Sequence, residues 1–361
     1  MEVDHHYLAP YLPSDVVPSQ LCRTQETMTS TAEASIASPT AAGTHGVGAD
    51  GAGIANAATA SSEPGVPRIF DRDLIVRRRD RAARHLGDHA FLLERVAEDF
   101  AERLILVKRK FETGLCVEAY NGQVSRLLRK SPNVGSLTDA EPSTCLRGEC
   151  GDAALAHGHD RIEAAAESYD LVVSALSLHL VNDLPGALAQ LRRAMKPDGL
   201  LLAALLGGDT LRELRESWLV AEDEITGGAS PRVAPFADVR ALGGLLQRAG
   251  FALPVADSDT VTVTYSSPLH LMRELKGMAA SNPLFDRRRV PVTRGLLMRA
   301  AEVYAERFGL DDGRIPATFE IVTLTAWVPH ESHPKPLRPG SATTRLADAL
   351  GVSEKKLPRQ E

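Results

Sequence analysis

The chain has 361 residues and a formal net charge of −6, with 43% hydrophobic and 24% charged residues, a composition typical of a soluble globular protein. The acidic balance disfavours a general nucleic-acid-binding protein, and no uninterrupted apolar run of about 18 residues predicts a membrane span. Four cysteines are too few for a disulfide scaffold and favour a reducing compartment.

The acidity belongs to the first 66 residues. They hold seven acidic side chains and one arginine, whereas the rest of the chain carries 40 basic and 40 acidic residues. Residues 28–66 are mostly Ala, Gly, Ser, Thr and Pro without periodicity, which is typical of disorder. We therefore expect a disordered low-complexity tail over 1–66 and a second tail over 332–361. Because the first tail is acid-rich and poor in arginine, it does not resemble a transit peptide, which favours a bacterial cytoplasm.

From Pro67 onward, the composition is that expected of an ordered segment. The basic segment 67–86 predicts a helix from about Asp73, and its charge indicates either a solvated face or a site for a phosphate or an acidic partner. Apolar residues at four-residue spacing predict a second helix; they are Leu92, Val96, Phe100 and Leu104. We interpret residues 67–110 as an N-terminal helical arm.

Buried strands alternate with amphipathic helices beyond residue 110. The predicted strands are Gly114–Val117, 169–178 and 200–206. One predicted helix begins at Gln123, a second is capped by Asn182 or Asp183, and a third opens with a capping box of Thr210 and Glu213. A fourth ends at Gly250. Met195 belongs to the apolar stripe of the second of these helices, and a turn at Lys196–Gly199 ends it.

Two polar–apolar alternating segments, 257–265 and 318–327, predict a final antiparallel pair at one edge of the sheet. A helical insertion of about 268–310 separates them. The alternation of strands and helices predicts one α/β domain over 111–331 with a mostly parallel sheet. In such a sheet, ligands bind beyond the carboxyl ends of the strands.

Candidate ligand-binding residues follow these strands. Gly122 comes after the first strand, His179 after the second and Asp209 after the third. Each has an ordinary structural alternative: a turn glycine, a packed histidine and a helix cap. The cluster of Asp152, His157, His159 and Asp160 is a weak metal candidate, so we predict no metal site.

The stretch 170–208 resembles class I S-adenosylmethionine-dependent methyltransferases in its acidic strand start, Leu-rich helix and Lys-Pro-Asp-Gly turn. Further motifs resemble the mitochondrial complex I assembly factor 5 family and its bacterial homologues. They are FDRDLIVRRRDRAA (70–83), GGDTLRELRESWLVAEDE (207–224), GGASPRVAPFADVRALGGLLQRAGF (227–251), LKGMAASN (275–282) and RPGSAT (338–343). Malonyl-acyl carrier protein O-methyltransferase is a more distant resemblance.

The resemblance implies a Rossmann-like seven-stranded sheet with the last strand antiparallel. It implies S-adenosylmethionine as cofactor and methyl transfer by in-line attack on the sulfonium methyl. It also implies a link to a respiratory complex I subunit, an arginine of which the mitochondrial relatives hydroxylate, or to an acyl-carrier-type acceptor. A mitochondrial matrix or inner-membrane periphery is then the alternative location.

The resemblance also implies site residues. For the cofactor they are Glu118, Asn121, Gly122, Asp139, Asp160 and Leu176; facing the acceptor they are His179, Asp209 and Arg212. The family's glycine-rich first motif is altered here: Cys116 replaces its acid, and Glu118 and Tyr120 replace glycines. A side chain at a glycine of close approach fills the pocket.

Three hypotheses follow. The first is a working S-adenosylmethionine-dependent methyltransferase-like enzyme. The second is an assembly or docking protein on a methyltransferase scaffold that has lost its cofactor. The third is a protein arginine hydroxylase, which requires an oxidant.

Overall fold

The computed structural model describes residues 67–150, 155–156, 161–162, 164–334, 341 and 344–352. The tail predicted over 1–66 and most of the tail predicted over 332–361 lie outside these residues. Asp160 and its neighbours Asp152, His157 and His159 lie outside them as well.

The helices and strands follow one another in α/β alternation. The helices of the described residues are α1 (Arg72–Ala82), α2 (Phe91–Leu106), α3 (Gln123–Leu128), α4 (Thr144–Cys150), α5 (Leu184–Ala194), α6 (Arg212–Thr226), α7 (Val239–Arg248), α8 (Pro268–Gly277), α9 (Arg294–Phe308) and α10 (Leu346–Leu350), with 3₁₀ turns at Ala83–His89 and Leu178–Leu180. The strands are β1 (Phe111–Val117), β2 (Val134–Glu141), β3 (Leu155–Ala156), β4 (Tyr169–Ala175), β5 (Met195–Leu206), β6 (Ala252–Tyr265) and β7 (Ile315–Trp327).

The strands form one mixed sheet in the order β3-β2-β1-β4-β5-β7-β6. Six strands are seven residues or longer, so the predicted count of seven holds only with the two-residue β3. Strand β7 is antiparallel to both neighbours, as predicted for the last strand, and separates β5 from the edge strand β6. Since β1, β2, β4 and β5 are parallel, their carboxyl ends meet at one edge.

The turn predicted at Lys196–Gly199 is a bulge inside β5. These four residues lie opposite a single residue of β4, Asp170. Asp198 adopts a left-handed φ of 61°, and its carboxylate contacts Nε2 of His333 at 2.8 Å. The strand therefore begins at Met195, which was wrongly placed in the preceding helix.

Apolar side chains fill both faces of the sheet. One cluster joins α2, α6 and α9 to the sheet and contains the fully buried Phe100 and Tyr304. The other lies under α5 and α7 and contains Leu188 and Leu246. The two-sided cover explains why β4 and β5 are almost continuously apolar in sequence.

The N-terminal arm is held against the domain by the insertion. The carboxylate of Asp71 caps α1 by accepting from the Leu74 N–H at 3.0 Å, while its backbone N–H donates to Pro283 at 2.9 Å. Phe70 bridges to Leu284, and Nη1 of Arg78 donates to the Ser281 carbonyl at 2.6 Å. The start of the arm is thus packed against the insertion.

No helix of the described residues is long and apolar enough to cross a membrane.

Candidate functional site

The loop after β1 has the backbone of a glycine-rich turn but carries side chains. Glu118 and Tyr120 adopt left-handed φ values of 52° and 53°, and Gly122 has a φ of 74°. Each left-handed non-glycine residue costs about 1–2 kcal/mol. The loop therefore places side chains at two positions whose backbone conformation favours glycine.

Arginines from α1 engage the side chains of this loop. Nη2 of Arg79 donates to Oε2 of Glu118 at 2.6 Å, and its Nη1 lies 3.3 Å from Oε1 of Glu141, the last residue of β2. Arg72 pairs with Oε1 of Glu118. All four side chains are 5% exposed or less. Arg72 and Arg79 are seven residues apart and so lie on one face of the helix.

Tyr120 completes the cluster. The Arg79 guanidinium lies 4.3 Å from the centre of its ring, a cation–π distance. Its hydroxyl donates to the Leu176 carbonyl at 2.7 Å, so the side chain spans from the β1 loop to the end of β4. Its backbone N–H donates to Oε2 of Glu141 at 2.8 Å.

The charges of this cluster balance. Burial opposes the charge of Arg79, but Tyr120, Glu118 and Glu141 overcome it, and the pKa of Arg79 lies above its ordinary value. Oε1 of Glu141 also accepts from the Ser143 N–H at 3.0 Å. Every oxygen of Glu118 and Glu141 is therefore engaged by the chain itself.

A cavity of about 420 Å³ opens beside this cluster, between the sheet edge, the arm and the insertion. Its walls are mostly apolar and include Leu86, Leu93, Leu214, Trp218, Met272 and Phe319. Two cationic wall residues are paired: Arg79 with Glu118, and Arg232 with Glu222. The volume lies within the range of small-molecule sites.

His179 contributes a neutral polar group to the cavity wall. Burial lowers the pKa of His179 to about 3; Arg79 and Arg72 add to this effect, and Glu118 opposes it. Its Nδ1 lies 3.4 Å from the Leu206 backbone nitrogen, which donates to it, so the ring proton resides on Nε2. The ring meets Phe236 edge-on with centroids 5.4 Å apart.

The structure brings some of the predicted site residues together and not others. Leu176 and His179 line the cavity, and Glu118 lies in the charge cluster beside it. Asp209 and Arg212 are exposed and do not line the cavity. Arg212 instead contacts its neighbour Glu213 at 3.5 Å.

The capping box predicted for α6 does not form. Leu211, with a φ of 54°, is the N-cap residue and makes no side-chain cap bond. The Thr210 hydroxyl accepts from the Glu320 N–H at 3.1 Å, and Glu213 contacts the Thr318 hydroxyl at 2.5 Å. The Thr210 hydroxyl and the Glu213 carboxylate therefore form hydrogen bonds with β7, whereas a capping box would direct them to the first turn of α6.

Asp139 and Asn121 make internal contacts. Asp139 pairs with Arg129 at 2.8 Å, and its Oδ1 is buried without a hydrogen-bond partner in the described part of the chain. The Asn121 side chain accepts from the Gln123 N–H at 3.2 Å, an Asx-type turn that leads into α3. Gly122 precedes α3 as its N-cap residue.

Sequence reasoning missed Glu141, Arg72 and Arg79. Glu141 ends β2, which is where the methyltransferase pattern places an acidic residue. The signal for the arginines was their helical spacing with Ile75, which also faces the cavity. The face of α1 that carries Arg72, Ile75 and Arg79 is therefore buried, not solvated.

The side chains at the carboxyl ends of β1, β2 and β4 do not fit S-adenosylmethionine bound there as a methyltransferase cofactor. The acid at the end of β2 is held by Arg79 and by the loop, and Tyr120 crosses the space between the ends of β1 and β4. Among the described residues, no group of three or more His, Cys, Asp or Glu is arranged to hold a metal ion.

Comparison with known proteins identifies the family. A methyltransferase-domain profile matches residues 89–254. Over 300 residues the chain is 37% identical to arginine-hydroxylase NDUFAF5, mitochondrial, from Danio rerio, with 81% of this chain and 93% of that protein covered. The chain belongs to the NDUFAF5 family.

Members of a second group are also similar. The malonyl-[acyl-carrier protein] O-methyltransferase of Halorhodospira halophila is 33% identical over 279 residues, covering 73% of this chain and 90% of that protein. The YcgJ protein of Bacillus subtilis superposes with a TM-score of 0.46 at 10% identity, over 66% of this chain and 99% of that chain. The chain thus combines a methyltransferase-family domain with the sequence of the NDUFAF5 family, as the motifs predicted.

Proposed function

We propose that this NDUFAF5-family chain acts on a partner protein during respiratory complex I assembly. We further propose that it does so without S-adenosylmethionine bound at the carboxyl ends of the parallel strands. The supporting observation is that the chain's own side chains fill the region where a methyltransferase holds its cofactor. Arg79 from α1 pairs with the carboxylates of Glu118 and Glu141, and Tyr120 spans from the β1 loop to the end of β4. This favours the second of the three sequence hypotheses over the first.

The cavity of about 420 Å³ is the proposed contact site for the partner. Its apolar walls and paired charges suit a segment whose apolar side chains become buried on binding. His179, half-buried and neutral, provides a hydrogen-bonding group there. We propose no role in the site for Asp209 and Arg212, because their exposed positions lie outside this cavity.

Calorimetric titration of the full chain with S-adenosylmethionine and S-adenosylhomocysteine tests this proposal. We expect no binding up to millimolar ligand. The matched variant is Tyr120→Gly, which opens the loop at a left-handed position and leaves both carboxylates in place. Binding by this variant alone supports exclusion by the tyrosine.

A micromolar dissociation constant for the unmodified chain, about −8 kcal/mol, overturns the proposal and returns the methyltransferase hypothesis to first place. The acceptor to examine is then an acyl-carrier protein, which the 33% identical malonyl-[acyl-carrier protein] O-methyltransferase suggests. The bacterial cytoplasm remains the expected location, with the mitochondrial matrix or inner-membrane periphery as the alternative.

Arginine hydroxylation is a second candidate; it inserts one oxygen atom into a C–H bond and therefore requires an external oxidant, such as dioxygen with a two-electron donor and two protons, the second oxygen atom leaving as water. It is favoured by the 37% identity to an arginine-hydroxylase that extends over 93% of that relative. Co-expression of the chain with complex I subunits, followed by mass spectrometry of their arginine peptides, tests it. A mass increase of one oxygen atom that disappears without the chain supports this candidate, and an unchanged peptide mass contradicts it.

A further inference from the structure

Six arginine side chains gather where the N-terminal arm meets the insertion. Four come from the arm and two from the insertion. They are Arg68, Arg77, Arg78, Arg81, Arg287 and Arg289, and we name them the arginine rim. The chain beyond residue 66 carries 40 basic and 40 acidic residues, so this concentration of positive charge is local and does not follow from the composition.

Backbone groups hold the central arginine of the rim in place. Nη1 of Arg78 donates to the carbonyl oxygens of Ser281 and Asn282 at 2.6 and 2.7 Å. Among the described residues, the carboxylate paired with the rim is that of Asp71, which lies 2.9 Å from Nη1 of Arg287. Hydrogen bonds to carbonyl groups position a guanidinium without cancelling its charge, so the Arg78 side chain is fixed and remains able to attract an anion.

An aromatic ring holds two further rim arginines. The guanidinium carbons of Arg68 and Arg289 lie 5.4 and 5.8 Å from the centre of the Phe285 ring, within cation–π distance. The Phe285 backbone N–H donates to the Ile69 carbonyl at 2.8 Å, which anchors the ring between the arm and the insertion. A cation–π contact also leaves the positive charge uncompensated.

The rim holds like charges close together. Burial and the charges of Arg287, Arg81 and Arg77 lower the pKa of Arg78 to about 10, against the opposing charge of Asp71. Arg78 is still protonated at pH 7, so the repulsion among these side chains persists in the folded chain. An anionic ligand at the rim relieves this repulsion.

The rim adjoins the cavity described above. Ser281 and Asn282, whose carbonyl groups accept from Arg78, also line the cavity. The apolar residues Val290 and Val292 follow the rim in the insertion and are 61% and 39% exposed, and Val292 belongs to the cavity wall. Arginine beside aromatic and apolar side chains is the composition typical of protein–protein interfaces.

The shape of this region favours a protein segment as its occupant. The cavity is concave, so it receives side chains that project from a partner, whereas a bilayer surface is flat. A nucleic acid has no apolar side chains to fill such walls. The guanidinium fork of arginine matches a carboxylate through two parallel hydrogen bonds, which makes acidic side chains suitable partners for the rim.

We propose that the arginine rim and the cavity form one docking surface for a segment of a partner protein that carries apolar side chains followed by acidic ones. The apolar side chains enter the cavity, and the carboxylates pair with the rim. The role of the cavity rests on the function proposed above, whereas the role of the rim rests on the contacts of its own arginines. A lysine-rich segment is disfavoured because it meets like charge.

Fluorescence anisotropy of the full chain with three labelled peptides tests this surface. The first peptide has a leucine-rich half followed by a glutamate-rich half. The second replaces the glutamates by lysines, and the third replaces the leucines by serines. We expect the first to bind at least about 10-fold more tightly than either of the others. Its affinity should fall as the salt rises from about 50 to about 300 mM, because salt screens exposed charges.

Charge reversal shows whether the rim itself is responsible. Arg77→Glu combined with Arg81→Glu, both at exposed positions, should weaken binding of the first peptide at least about 10-fold. The matched control is Arg240→Glu combined with Arg248→Glu, which changes the net charge equally at exposed positions of α7 and should change the affinity less than about 2-fold. Arg289→Glu tests the rim from the insertion and should also weaken binding. Unchanged affinity in both rim variants overturns the proposal.

Co-sedimentation with lipid vesicles tests the alternative occupant. Vesicles of phosphatidylcholine with about 30% phosphatidylglycerol present an anionic surface, and we expect them to leave the chain in the supernatant. Sedimentation that Arg77→Glu with Arg81→Glu abolishes, together with no binding of the first peptide, assigns the rim to a lipid surface and overturns the proposal.

Val292→Trp separates this proposal from the function proposed above. It narrows the cavity from an exposed wall position and should lower the affinity of the first peptide to that of the serine-substituted peptide. If it weakens binding while the glutamate and lysine peptides bind equally, the rim proposal fails and the cavity keeps its proposed role. If charge reversal at the rim weakens binding but Val292→Trp does not, the cavity loses its proposed role, and the joint surface fails with it.

Discussion

Replacing Arg232 by alanine should destabilise the chain more than any exposed arginine substitution. Nε of Arg232 donates to Oε1 of Glu222 at 2.9 Å, and the guanidinium lies 4.9 Å from the centre of the Trp218 ring. The Glu222 side chain is fully buried. Its remaining partner is Ser230, whose N–H and hydroxyl donate at 2.6 and 2.8 Å. The substitution therefore leaves a buried carboxylate without its counter-ion.

Removal of one partner of a buried ion pair costs about 3–5 kcal/mol. Because the Ser230 bonds persist, we expect a loss of about 3 kcal/mol in the free energy of unfolding. At about 2–4 °C for each kcal/mol in a domain of roughly 200 residues, the thermal midpoint should fall by about 8 °C.

Urea unfolding at pH 7 measures the loss. Arg240→Ala, an exposed position in the same motif, is the control and should change the free energy by less than about 0.5 kcal/mol. Adding Glu222→Gln to Arg232→Ala removes the uncompensated charge and should recover part of the loss. A decrease below about 1 kcal/mol for Arg232→Ala refutes the reasoning, since the carboxylate would then be solvated or otherwise neutralised.

The pH dependence of this pair has a definite sign. Burial opposes the effect, but the Ser230 backbone bond and the Arg232 bond together hold the pKa of Glu222 below its ordinary 4.5. A lowered pKa stabilises the folded state above pH 4.5, and that stability is lost as the pH falls through the folded value. The difference between the unmodified chain and Arg232→Ala should therefore shrink below pH 4.5.

Three further substitutions test local features. Gly122→Val places a β-branched residue at a φ of 74°, with its Cβ 3.2 Å from Nη1 of Arg126, and should cost about 2 kcal/mol or more in urea unfolding; an unchanged midpoint contradicts the left-handed assignment. His179→Gln should reduce the loss of stability between pH 6.5 and pH 3, because the half-buried histidine stays neutral in the folded chain and opposes folding once the unfolded chain is protonated; identical pH profiles argue against this. Asp183→Ala removes the cap that accepts from the Gly186 N–H at 2.8 Å and should cost about 1 kcal/mol, and a loss below about 0.3 kcal/mol shows that the cap is dispensable.

The periodic elements could be predicted because their signals are local. Apolar spacing located α2 and α7, and Asp183 with Pro185 marked the start of α5. Boundaries failed where tertiary contacts override local chemistry. The Lys-Pro-Asp-Gly segment has the composition of a turn, but the residues before and after it, Met195 and Leu200, both pair with β4, and this makes it a bulge of β5.

The site was harder to predict because its partners are distant in sequence. Glu118 and Tyr120 were recognised as departures from a glycine motif, but the sequence did not show what compensates for them. The compensation comes from Arg79, whose charge suggested a solvated surface. A buried cation is recognisable only when the carboxylates around it are known, and here they come from β1 and β2.

The buried cluster of two arginines and two glutamates at the ends of β1 and β2 limits how this sequence can change. Arg72, Arg79, Glu118 and Glu141 lie in one buried, charge-balanced group, so losing any single member leaves an unpaired charge in the interior. Substitutions at these positions should therefore arise in concert. In relatives with glycine at the position of Glu118, one of the two residues at the positions of Arg72 and Arg79 should be uncharged, and the reversion of one position alone should be selected against.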